Sequence, residues 1–238
     1  MAAYENILRS SNAQGVQEYS QGRQGSELTV NLDGGVCRGL VVLWLKAKAS
    51  IGPSRFWEGH GITRDVESQL ALLSKAVDVQ REYSESMARL SNTENLGGGL
   101  ATWVVDPATT AALVESGMKF EPNQVIASAQ WGFASSSPNP NPQNIVKQML
   151  SDTARFAILG AWGEAGGHSI GIHRPHAAIG KSTSLFVFDP NFGEFKVDGA
   201  ADAVRLLVSI NSAGYENLSR PLDLNKRFML WTYSKKFL

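Results

Sequence analysis

Gly34-Gly35-Val36-Cys37-Arg38-Gly39-Leu40-Val41-Val42-Leu43-Trp44-Leu45 is the stretch around which the chain is organised. Cys37 is the only cysteine in 238 residues. It follows two glycines and opens a run, Cys37 to Ala49, that is apolar most of the way round, and a helix of that kind is buried. Lys46 and Lys48 lie at its far end, where cations suit the helix dipole, and Gly52-Pro53 stops it. A thiol at a helix N-terminus meets unpaired N–H groups and the positive end of the dipole, which together favour the thiolate. A lone cysteine in an apolar helix also reads as a small buried hydrophobe. The surrounding chain has to choose between the two.

Composition narrows the choice of function. Hydrophobic residues make up 43% and charged residues 18%, the proportions of a globular protein with a sizeable core. Lys+Arg and Asp+Glu are both 22, so no global charge argues for nucleic acid or an anionic membrane surface. One cysteine excludes an intrachain disulfide and a multi-thiolate zinc site, and four histidines leave little material for other metals. No cofactor is implied. The N-terminus shows no basic region followed by an apolar one, so no cleaved signal is expected, and Ala2 stands where myristoylation requires glycine. No apolar run is long enough to span a membrane. Gly97-Gly98-Gly99 lacks the Gly-Lys-Ser/Thr ending of a phosphate loop.

In chain order, residues 1–26 are polar and rich in Gln, Ser and Gly, and read as a weakly structured arm with one short helix near Tyr4–Leu8. Glu27–Leu32 reads as a short strand or extended entry. After the Cys37 helix, Asp65 starts a second one reaching Leu90. Its apolar positions Val66, Leu70, Leu73, Val77, Tyr83, Met87 and Leu90 are expected to face the core. A short strand is expected at Thr102–Val105, and a helix Pro107–Gly117 follows with Asp106 as its cap. Residues 121–132 are ambiguous, 134–142 is a loop, and 143–152 a short helix. The pattern then changes to strands at 155–162, 168–174, 184–189 and 194–197, a helix at 200–212 and a final strand at 227–233. Helices followed by a mostly antiparallel sheet make an α+β fold. The expected organisation is an arm, 1–26, and one domain, 27–238, with a helical half (36–152) and a sheet half (153–238).

A nucleophilic thiol needs a base, and the base needs a group that holds its ring and tautomer. His168 opens a strand directly after Gly166-Gly167. His173 lies five residues on and points to the opposite face. His60, His173 and His176 read as surface or turn histidines. Asp189 ends the next strand before a Pro-Asn turn, so antiparallel pairing would make it a neighbour of His168. The plainer reading of each is a satisfied strand histidine and a turn-forming aspartate. Glu164 and Glu194 flank this region without forming a carboxylate pair. Trp44, Trp162 and Trp231 read as core, whereas Trp57, Trp103 and Trp131 lie nearer loops.

Three motifs, Gly-Val-Cys-Arg-Gly-Leu-Val-Val-Leu-Trp-Leu, Gly-Gly-His-Ser-Ile-Gly-Ile and Val-Phe-Asp-Pro-Asn-Phe-Gly-Glu-Phe, resemble those of the YopT-type cysteine peptidases. These are papain-like bacterial effector proteases. In order and spacing the resemblance covers residues 27–238, although 50–150 match only in being helical. It implies a papain-like fold, Cys37 as nucleophile, His168 as general base and acid, and Asp189 as orienting carboxylate. Asn31, six residues before Cys37, has the spacing of a papain-type oxyanion donor, a role worth about 3 kcal/mol; it reads equally as a turn residue, and Asp33 is a weaker rival for the position. The segment Arg174 to Lys181 lengthens the gap from His168 to Asp189. The resemblance further implies a host protein as substrate and delivery from a bacterium into a host cell, with a monomer as the expected state and no stable membrane insertion. Self-processing, where it occurs, would remove part of residues 1–26. The same triad also serves papain-like deamidases, transglutaminases and acyltransferases, and a catalytically silent host-binding module is the non-enzymatic alternative.

Overall fold

The computed structural model describes residues 2–28, 32, 35–50, 56–57, 65–94, 107–121, 126–128, 142–151, 153–163, 166–177, 182–215 and 227–235. Its centre is an antiparallel sheet. The strands are β1 (Gln14–Glu18), β2 (Met118–Phe120), β3 (Ile126–Ser128), β4 (Phe156–Gly163), β5 (Gly166–His173), β6 (Ser184–Asp189), β7 (Gly193–Asp198) and β8 (Arg227–Lys235). Among the described residues their order is β1-β7-β6-β5-β4-β8-β2, with β3 also on β8. β4 and β5 form a long hairpin whose register runs from Phe156 opposite His173 to Gly163 opposite Gly166. β6 continues from β5 with Gly171 opposite Phe188, which brings Asp189, one residue on, towards the His168 end of β5.

Helices cover both faces. On one face lie α3 (Cys37–Ala49), α4 (Val66–Glu94) and α5 (Pro107–Val114), with α3 against β5. The other carries α1 (Ala2–Ser11), α6 (Pro142–Met149) and α7 (Ala200–Ser209), which runs into a single π-helical stretch, Ile210–Tyr215. α2 (Gln21–Glu27) follows β1. Two apolar cores result, one centred on Leu40, Trp44, Phe156 and Trp231, the other on Ile170, Ile172, Val187 and Leu206. Leu40, Val41, Val42, Trp44 and Leu45 are all completely buried. Each such side chain contributes about 1.5–3 kcal/mol relative to an exposed one. That is why a run with no polar stripe forms the central helix. Among the described residues no helix is long and apolar enough to cross a membrane.

α3 approaches its neighbours closely because it carries or meets glycine at two contacts. A Cβ on Gly39 would stand 2.0 Å from the Ala76 carbonyl oxygen of α4, and one on Gly171 of β5 would stand 2.9 Å from the Trp44 ring. In an exposed helix, Gly→Ala gains about 1 kcal/mol. Gly39→Ala is expected to reverse that sign, costing about 1–3 kcal/mol by forcing α3 and α4 apart. A drop in the urea midpoint would register this, and an unchanged or raised midpoint would show that the helices are not held at this distance.

Several sequence expectations need correction. Residues 1–26 are not a loose arm: α1 contains the short helix expected near Tyr4–Leu8, β1 and α2 follow it, and Tyr4 and Ile7 are core residues. β1 pairs with β7 through Gln14–Lys196 to Glu18–Gly193, so an edge strand of polar residues is held by backbone hydrogen bonds rather than by apolar patterning. Glu27 ends a helix instead of starting a strand, and residues 29–31 lie outside the described residues, as does the strand expected at 102–105. Among the described side chains of α4 the buried positions are Leu72, Leu73, Ala76 and Ser86, whereas Val66 and Leu70 are exposed; α3 is met at Ala76 and Gln80, past the first turns of the helix. Asp65 does start α4, accepting from the Ser68 N–H at 2.8 Å.

Candidate active site

Cys37 is the first residue of α3, and His168 and Asp189 come from the neighbouring strands β5 and β6. The structure brings all three together. The His168 Nε2 lies 3.0 Å from Asp189 Oδ1, and the His168 side chain is hydrogen-bonded to Cys37. With Nε2 turned to the carboxylate, Nδ1 is the nitrogen left for sulfur. The backbone N–H of Ser169 also reaches the Cys37 sulfur. All three residues are buried.

The start of α3 is held by side chains from elsewhere. Gln80 Oε1 accepts from the N–H groups of Arg38 at 3.0 Å and Gly39 at 3.4 Å, and the Leu40 N–H bonds to the Val36 carbonyl. The Val36 N–H donates to Gln21 Oε1 at 3.0 Å. Among the described residues the Cys37 N–H has no such partner, as first-turn helix donors need not. Arg38 is buried, with its guanidinium over the rings of Trp231 (4.2 Å) and Tyr83 (4.9 Å) and its Nε donating to Thr109.

Electrostatics favour an ion pair. Burial pushes the Cys37 thiol up, but the hydrogen bond and charge of His168, the Ser169 N–H and Arg38 together bring it below its ordinary value. Burial pushes His168 down, yet the charge and hydrogen bond of Asp189, with those of Cys37, raise it to about 10. The imidazolium thus contributes stability below its ordinary value of 6.5, lost as pH rises through about 10. The thiolate contributes above the ordinary thiol range and loses its part as pH falls through the lowered value.

Asp189 is held in place by further partners. Tyr215 Oη donates to its two oxygens at 2.9 and 2.8 Å, and the Asn191 N–H to Oδ1 at 2.9 Å. The Tyr215 ring also meets the His168 ring edge-on at 5.2 Å. Sequence reading missed Tyr215, Asn191, Gln21 and Gln80. Asn191 alone carried a signal, as part of the Asp-Pro-Asn motif.

His173 is not a surface histidine. It is buried on the opposite face of β5, stacked on Phe156 at 5.0 Å, and burial with the charges of Lys48, Arg155 and Lys235 pushes it down to about 3. His176 is exposed, and His60 lies outside the described residues. Asn31 and Asp33 also lie outside them, as do Trp103, Trp131 and Glu164. Trp57 belongs to the core rather than to a cleft: its Nε1 donates to the buried Glu194 carboxylate. Among the described residues no group of three or more His, Cys, Asp or Glu could hold a metal ion.

A family model, Peptidase_C58, described as Yersinia/Haemophilus virulence surface antigen, matches residues 5–235. The chain belongs to this family. It is a cysteine peptidase of the YopT type. Among solved structures, the Pseudomonas avirulence protein AvrPphB resembles this C58 peptidase with a TM-score of 0.59 at 18% identity, over 96% of this chain and 99% of that one. That likeness supports the α+β, papain-like fold. The YopT domain of the Pasteurella multocida PfhB2 toxin matches at 20% identity over 91% of this chain and 93% of that one, with a TM-score of 0.30, too low for a fold comparison. Comparison with curated proteins found no match. The family match begins inside α1, so it too includes the segment expected to be a loose arm.

Proposed function

We propose that this C58 peptidase cleaves a host protein with Cys37 as nucleophile, His168 as general base and acid and Asp189 as the orienting carboxylate. The observation that carries this reading is the continuous hydrogen-bonded row from Cys37 through His168 to Asp189. The thiolate attacks the peptide carbonyl carbon and forms a tetrahedral adduct. The Cys37 N–H is oriented by the helix and is available to that oxyanion; the Asn31 carboxamide is assigned the second donation from its spacing alone. His168 then gives its proton to the leaving amine, the thioester forms, and a water deprotonated by His168 hydrolyses it. Delivery of the enzyme from a bacterium into a host cell accords with the virulence description of its family.

Incubation with a peptide library, followed by mass spectrometry, tests the reaction. Released fragments, together with a covalent adduct of a peptide-mimetic epoxide on Cys37, are expected. Substrate mass shifts at glutamine without fragments would replace hydrolysis by deamidation or acyl transfer.

The pH profile of kcat/KM is expected to be a broad bell. Its acid limb falls below the ordinary thiol range, and its alkaline limb lies up towards about 10, where the imidazolium is lost. Both limbs belong to the coupled pair rather than to either residue. Asp189→Asn removes the charge that raises His168, so the alkaline limb should move down. An alkaline limb unmoved by that change would contradict the assigned role of Asp189.

A further inference from the structure

We propose that Gln21, Asn191 and Tyr215 are positioning residues of this site: with Asp189 and His168 they close a ring of hydrogen bonds that begins and ends at the start of the Cys37 helix. The proposal rests on the reading of Cys37 and His168 as nucleophile and base. The Val36 N–H donates to Gln21 Oε1 at 3.0 Å, and Gln21 Nε2 donates to Asn191 Oδ1 at 2.7 Å. Asn191 Nδ2 donates to Tyr215 Oη at 3.2 Å, and Tyr215 Oη donates to Asp189 at 2.9 and 2.8 Å. Asp189 Oδ1 accepts from His168 Nε2 at 3.0 Å, and His168 bonds Cys37, the residue after Val36.

The polarity of the ring is self-consistent. A backbone N–H can only donate, so Gln21 must turn its oxygen to Val36 and its nitrogen to Asn191. Asn191 then accepts with its oxygen and keeps its nitrogen for Tyr215, whose single proton goes to the carboxylate. Reversing either amide would set donor against donor. Gln21, at 8% exposure, and Tyr215, at 1%, are polar groups whose burial is matched by these partners.

The ring has a mechanical consequence. α3 shares no backbone ladder with the sheet, so nothing in the secondary structure fixes Cys37 against His168. Gln21 opens α2, and its own N–H also bonds the Pro190 carbonyl at 2.8 Å. The N-terminal segment thereby clamps the turn after Asp189 to the start of α3. Tyr215 closes the circuit from the π-helical stretch, an irregularity of the kind often found at functional sites. The charges acting on the pair are Asp189 on His168, Arg38 on Cys37 and each other, and the test variants leave all of them in place.

The full chain is compared with Tyr215→Phe, Gln21→Met and the double variant. Tyr215→Phe keeps the ring that packs on His168 (5.2 Å) and Phe192 (5.0 Å), so it is expected to fold even where Gln21→Met does not. Each single variant should lower kcat about ten- to hundredfold, the penalty of a reacting group displaced by about 1 Å, with KM within about twofold. Cys37 is the only thiol, so iodoacetamide reports on it alone. Its alkylation midpoint should move up in the variants and the alkaline limb of kcat/KM should move down, narrowing the profile at both ends. The double variant should be no worse than the poorer single one, because both open the same ring. Wild-type positions of both limbs in folded variants, a loss confined to KM, or multiplicative losses in the double variant would overturn the proposal. Ordinary-thiol alkylation in the wild-type chain would instead overturn the nucleophile reading on which it rests.

Discussion

Cys37→Ala is expected to lower peptide hydrolysis by on the order of a million-fold, the scale seen when the nucleophile of a triad is removed. The reason is local. Every covalent step runs through the sulfur, and Cys37 is the only thiol in the chain. The fold should survive, since alanine loses one small buried atom and α3 keeps its apolar run and the Gln80 and Gln21 contacts at its start. Stability within about 1 kcal/mol of the wild type is expected. Urea unfolding beside a fluorogenic peptide assay separates the two quantities. Substantial hydrolysis by a folded Cys37→Ala chain would sink the catalytic assignment.

The second large effect lies outside the triad. Glu194, on β7, is fully buried and accepts from Trp44 Nε1 at 2.8 Å, Trp57 Nε1 at 2.5 Å and Lys48 Nζ at 2.7 Å. The Lys48 side chain is itself only 8% exposed, and its ammonium lies 4.4 Å over the Phe186 ring. These contacts lock the C-terminal half of α3 to the sheet. Glu194→Ala leaves a buried ammonium without its carboxylate and two indole N–H groups without an acceptor. The expected loss is about 3–5 kcal/mol, the range for removing one member of a buried pair. Glu194→Gln combined with Lys48→Met removes both charges, keeps an acceptor for the indoles and should recover much of that loss. The double-mutant cycle from denaturant midpoints measures the coupling. If Glu194→Ala alone costs less than about 1 kcal/mol, the pair is not what holds α3.

Much of the architecture could be read from the chain. The apolar run from Cys37 gave α3 its bounds at both ends, because a helix buried all round needs no polar face to align it. Alternating strands and turn residues gave the 156–198 hairpins. The separation of His168 from His173 by an odd number of residues put them on opposite faces of β5, one towards Tyr215 and the other against Phe156. The candidate triad followed from the same local logic: a helix start, a strand after two glycines and a strand-ending turn.

What could not be read is the identity of distant partners. Lys48 looked like a cation suited to a helix end, and only the packed sheet makes it the counter-charge of Glu194. Beyond a short helix near Tyr4–Leu8, the first 26 residues looked like a loose polar arm, since Gln, Ser and Gly carry no apolar period. They become ordered because β1 finds the edge of β7, and because Gln21 and Gln24 find Asn191 and Gln69. Periodicity and turn chemistry act between residues a few positions apart, so the sequence alone determined α3, the strands between 156 and 198 and which of their ends carry reactive groups. A hydrogen bond between Gln21 and Asn191 depends on three-dimensional closure across most of the chain. The tertiary structure alone decided that the Cys37 helix, the His168 strand and the Asp189 turn are fastened to one another by side chains from the N-terminal segment and the π-helical stretch.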